Sequence, residues 1–116
     1  MILQDIKDKL KEIEENVFYG MVSESMNKTF WNYIVFNRSN MKPTATKQGY
    51  ADVYEVHIVR EDFIPDGFAE EVINKLLEIA GMRVTGEVFE YNYIQKPNTN
   101  IVVEMLSINF VKPRKA

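Results

Sequence analysis

Residues 50–60 constrain the fold of this chain more than any other stretch. Tyr54, Val56 and Ile58 stand two apart and share one pleat face of a strand, while Glu55 and His57 turn the other way. Pro65 stops extension, and Asp66 or Gly67 offers an N-cap, with Glu70 and Glu71 in the first turn, where the helix dipole favours acids. The apolar spacing then changes to Phe68, Val72, Leu76 and Ile79, widened by Ile73, Leu77 and Ala80. That pattern predicts a helix over 66–80 lying on a sheet and ended by a left-handed Gly81.

A chain of 116 residues is most simply one domain, burying roughly two thirds of its unfolded surface. It contains no cysteine, which excludes a disulfide scaffold, a thiol nucleophile and thiolate metal sites. The start, Met1-Ile2-Leu3-Gln4-Asp5, becomes densely charged too soon for a signal peptide, so a cytosolic locale is expected. No apolar run approaches the roughly 20 residues of a membrane span. A net charge of -3 argues against nucleic acid as a main partner.

Taken in order, Ile2, Leu3, Ile6, Leu10 and Ile13 form a narrow apolar seam on a highly charged N-terminal helix. The seam suits docking on the chain's own sheet or on a neighbouring subunit. Residues 17–22 read as a short strand or an irregular crossing segment. Residues 29–36 read as a strand apolar on both faces, with Trp31, Tyr33 and Val35 on one and Phe30, Ile34 and Phe36 on the other. Its aromatics suit core, subunit interface or a binding platform.

Residues 37–49 are polar, carry Arg38, Lys42 and Lys47 without an acid, and read as an exposed loop between strands. Solvation, contact with a partner and contact with phosphate all remain open for it. Residues 83–95 and 101–111 read as the two arms of a long antiparallel hairpin. The first arm is half-exposed, and Gly86 marks a bulge. Residues 112–116, with Arg114 and Lys115, read as a basic frayed tail. The sum is an α+β domain: a mixed or antiparallel sheet, an N-terminal helix and a second helix on one face, and a closing hairpin.

Catalytic chemistry has little to draw on. His57 is the only histidine, on the same strand face as Glu55; that pair suits acid–base work in principle, yet a lone strand histidine is usually an ordinary residue. Converging metal ligands, a phosphate-cradling glycine loop and a nucleophile elbow are all missing from the pattern. No catalytic, cofactor or metal residue is assigned.

The segment Tyr54-Glu55-Val56-His57-Ile58-Val59, the acidic Pro-containing break after it, the helix running into Gly81-Met82-Arg83-Val84, the N-terminal amphipathic helix and the final hairpin resemble the small tail-terminator or tail-completion proteins of long-tailed bacteriophages. That group includes minor-capsid and tail-to-head joining proteins. Residues 29–49 have no counterpart in its pattern. The resemblance implies a non-enzymatic virion protein that forms a ring, commonly a hexamer, stops tail-tube polymerisation and docks on the head connector. Trp31, Tyr33, Arg38, Lys42, Lys47, Arg114 and Lys115 are then the expected partner contacts. The competing expectation is a ferredoxin-like ligand- or nucleic-acid-binding module that uses Tyr91 and Tyr93 as a stacking platform, against the neighbouring charges of Glu87 and Glu90.

Overall fold

Strand β3 (Tyr50–Glu61) behaves as its alternation requires. Tyr54, Val56 and Ile58 are buried on one sheet face, and Glu55 and His57 lie half-buried on the other. The structure is a computed structural model, and it describes residues 1–22, 31–44 and 49–114. Around β3 the chain runs α1 (Ile2–Lys11), β1 (Val17–Tyr19), β2 (Tyr33–Pro43), β3, α2 (Phe68–Leu77), β4 (Arg83–Thr85), β5 (Tyr91–Gln95) and β6 (Val102–Pro113). The protein is α+β, with a mixed sheet of six strands that does not close.

The sheet runs β1-β2-β3-β6-β4, with β5 also pairing β6. Among the described strand pairs only β1–β2 is parallel. Because β3 and β4 both pair antiparallel with β6, they are parallel to each other, and α2 is the crossover between them. A helix before the first strand and a parallel pair at one edge depart from the ferredoxin-like expectation.

Both helices pack on one face. Ile6 and Leu10 of α1 and Val72 and Leu76 of α2 join Ile34, Phe36, Tyr54, Val56, Ile58, Ile108 and Phe110 in a single cluster. The α1 seam therefore docks on its own sheet, and the expectation that it serves a neighbouring subunit is set aside. Part of the charge on α1 is also used within the chain. Lys9 pairs with Glu78 at 2.7 Å and Glu12 with Lys75 at 3.0 Å, joining the two helices. Glu14 pairs with Arg60, whose guanidinium lies 4.6 Å from the centre of the Phe68 ring.

The second helix is shorter than the predicted 66–80. It starts after Gly67, whose φ of 86° requires the left-handed region, and it tightens into three-residue turns at its end. There Ile79 donates its N–H to Leu76 at 3.0 Å, which keeps Ile79 on the core although it lies outside the helix.

Three further expectations are corrected. Residues 37–43 are strand, not loop. They pair with β3 from Asn37↔Glu55 to Pro43↔Tyr50, and a register shift between Arg38 and Asn40 leaves Ser39 as a bulge. Their polarity misleads because this end of the sheet is solvent-exposed while β3 still satisfies the backbone. The connection shrinks to 44–49, spanned by Thr44 N–H to the Gly49 carbonyl at 3.0 Å.

The tail is also strand as far as Pro113. Arg114 then donates its backbone N–H to Tyr50 and its guanidinium to Asp52 at 2.6 and 2.8 Å. Lys115 lies outside the described residues. Finally, the first hairpin arm is broken. Thr85 pairs with Asn109 but Tyr91 with Leu106, so residues 86–90 leave the ladder, with Phe89 still packed against the main core. Gly86 opens the excursion at φ 99°, a conformation that disfavours any side chain.

Replacing Leu10 by alanine removes a fully buried side chain from the helix–sheet contact. Urea unfolding of dilute protein is expected to show a loss of about 2–5 kcal/mol. A loss below about 0.5 kcal/mol would mean that α1 is not docked on its own sheet.

Candidate interaction surface

In sequence the aromatics of residues 29–36 suit core, subunit interface or a binding platform; Thr29 and Phe30 lie outside the described residues, and the structure uses most of the rest internally. Ile34 and Phe36 belong to the main core. Tyr33 is only 7% exposed and packs edge-on against Phe18, ring centres 5.9 Å apart, on the face away from the helices. Trp31 is half-buried beside Tyr33, Val59 and Val103 in the same cluster. These two aromatics are packing residues within one copy.

The basic candidates separate. Arg114 is held by the Asp52 carboxylate, which raises its already high pKa. Arg38 and Lys42 sit exposed on the lower half of β2, and neither has an acidic partner among the described residues. Lys47 lies outside the described residues.

Strand β5, in the closing hairpin, groups several exposed apolar residues. Every residue of β5 is exposed, Tyr91 at 52% and Tyr93 at 59%, with Ile94, Val102 and Val88 nearby. The expected half-exposed pattern fails because β5 lies at the sheet's outer edge. Its neighbour β6 supplies one row of hydrogen bonds, and nothing among the described residues pairs the other side. Lys96 donates to Ile101 at 2.8 Å, which sets the alternation of the ladder. Asn92 and Ile94 turn their backbone groups to β6, and Tyr91, Tyr93 and Gln95 turn theirs outward. The hydrogen bond to the Glu104 carboxylate raises the Tyr93 phenol pKa above its ordinary value.

The opposite edge differs in character. Strand β1 covers β2 only from Ile34 to Phe36, and no strand among the described residues pairs that side of β2 below this point. Ile34 and Phe36 bond outward to Asn16 and Gly20, so Arg38, next in that alternation, also turns its backbone outward. Past the bulge, Met41 and Pro43 do the same. This edge carries Arg38, Lys42, a bulge and a proline, the devices that deter indiscriminate strand pairing. Strand β5 has none of them.

On the face away from the helices, one polar row crosses the sheet that sequence reasoning did not assemble. His57 Nδ1 lies 2.8 Å from Ser107 Oγ, and His57 Nε2 lies 3.4 Å from Glu55. Residues 57 and 107 are fifty positions apart, so only the β3–β6 register brings them together. The row has the residue types of a nucleophilic relay. Its serine, however, sits inside a long strand and not on the strand-to-helix elbow that exposes such a nucleophile. It is better read as cross-strand hydrogen bonding between apolar patches. Among the described residues no group of three or more His, Cys, Asp or Glu could hold a metal ion. No described helix is long and apolar enough to cross a membrane.

No protein-family model matches this sequence, and no curated protein sequence is significantly similar to it.

Burial lowers the His57 pKa below its ordinary 6.5, and the Glu55 charge opposes that shift only in part. The unfolded chain then binds the proton more readily, so the fold loses stability as pH falls below the unfolded value toward the folded one. Denaturant midpoints measured from pH 7 downward are expected to fall more steeply for wild type than for His57→Gln. Parallel slopes would show that the folded protein does not penalise imidazolium.

Proposed function

We propose that this chain is a non-enzymatic structural subunit that closes with copies of itself into a ring, in the role of a tail-terminator or tail-completion protein of a long-tailed phage or prophage. The observation that carries the proposal is the open sheet, whose two edges differ in kind. One is a basic, bulged edge on β2, and the other is an aromatic edge on β5 with Glu87 and Glu90 just before it. Two unlike surfaces on one subunit make a head-to-tail contact, and such a contact forms a ring when its rotation closes.

In this reading the ring caps the tail tube and presents a docking face to the head connector, and the protein resides in the virion. The resemblance described above supplies those partners and the hexameric number. Enzymatic work is assigned to no residue. The elongated subunit, 53 × 27 × 22 Å, suits a ring wall built from long strands.

One observation favours a second reading. Tyr91 and Tyr93 stand exposed two residues apart, the arrangement of a base-stacking platform. The acidic Glu87 and Glu90 beside them oppose phosphate, and the neighbouring strand β6 adds Glu104 against Tyr93.

Light scattering with negative-stain microscopy of the purified protein tests the proposal, with filter binding to RNA and single-stranded DNA across a salt series as its counterpart. Rings of uniform size with weak, salt-insensitive nucleic-acid retention are expected. A single-copy protein that binds RNA with steep salt dependence would overturn the ring reading in favour of the stacking platform.

A further inference from the structure

We infer that the ring contact is an edge-to-edge strand pairing between copies, in which β5 of one copy docks on the β2 edge below β1 of the next. The inference rests on the ring reading and adds which surfaces meet. The β2 notch begins where β1 ends, at the Tyr19↔Phe36 pair, and extends to Pro43. Strand β5 is five residues long, so it fits alongside that length. Its outward backbone groups at Tyr91, Tyr93 and Gln95 have no strand partner among the described residues, and those at Arg38 and Met41 of the next copy answer them.

Charge favours this pairing. Residues 35–44 contain Arg38 and Lys42 and no acid, whereas residues 84–95 contain Glu87 and Glu90 and no base. Arg38, Lys42, Glu87 and Glu90 have no opposite-charge partner among the described residues. Two β2 edges brought together would oppose base to base. The β5-to-β2 contact joins the acids at 87 and 90 to the bases at 38 and 42, and it is the one that repeats around a ring. The excursion at 86–90 places both acids immediately before β5. Apolar contact comes from the exposed Tyr91, Tyr93 and Ile94 on one side and Met41 on the other.

A charge-swap pair tests this. One variant carries Arg38→Glu with Lys42→Glu, and the other carries Glu87→Lys with Glu90→Lys. Light scattering at low salt should show each variant alone needing at least about tenfold more protein than wild type to assemble. Their equimolar mixture should return to the wild-type midpoint, because every edge then meets its opposite. A second variant, Tyr93→Pro, removes an outward N–H that β6 does not use; an edge strand tolerates proline there. It should keep the wild-type circular dichroism and lose assembly. Variants that each assemble like wild type would overturn the edge pairing and leave the ring reading standing. Variants that stay apart when mixed, with Tyr93→Pro still assembling, would also overturn it. A wild-type chain that remains single at every attainable concentration overturns both.

Discussion

The antiparallel ladder between β3 and β6 is the constraint on which the rest of the molecule depends. It runs without a register shift from Ala51↔Pro113 to Glu61↔Val103, so each cross-strand pair keeps its face along the whole length. One face of the ladder carries Tyr54, Val56, Ile58, Leu106, Ile108 and Phe110, and both helices bury themselves against it. A one-residue slip would exchange that apolar set for Glu55, His57, Ser107 and Asn109. The register is therefore held by hydrophobic burial, and β2 on one side and β4 and β5 on the other inherit it.

From this ladder follows the asymmetry of the molecule. The helices shield one face, and the opposite face holds two apolar groups, Tyr33, Val59 and Val103 at one end and Ala51, Val53 and Val111 at the other. The His57 row lies between them, its polar atoms bonded across the strands. The faces are thus accounted for largely within one chain, and the unfinished hydrogen bonding is at the edges. Backbone groups at an edge are an open template for another strand, and a fold that leaves such a template must either guard it or fill it. This fold guards β2 with charge, bulge and proline, and β5 carries none of those devices.

The fold was legible where periodicity and burial agree. The alternation of β3, the stripe of α2 and the seam of α1 each name residues that are fully buried, because a core face leaves a regular trace in sequence. Residues 37–43 were not legible as strand, since an edge strand exposed on both faces has no apolar alternation to betray it. Strand β5 misled in the other direction: Tyr91 and Tyr93 alternate with polar residues as a half-buried strand does, yet nothing covers them among the described residues. The pairing of His57 with Ser107 left no local trace at all. It depends on a register between strands far apart in the chain. The acid-free and base-free segments were visible in sequence, but their placement on opposite edges of one sheet required the topology.

Residue-resolved amide hydrogen exchange of the assembled protein, compared with the dilute single copy, tests the central claim most directly. Asn92 and Ile94, already bonded to β6, should be protected in both states. Tyr91, Tyr93 and Gln95 should exchange freely when the copy is alone and become protected on assembly. If assembly forms while those three amides continue to exchange freely, the open β5 edge is not what joins the copies.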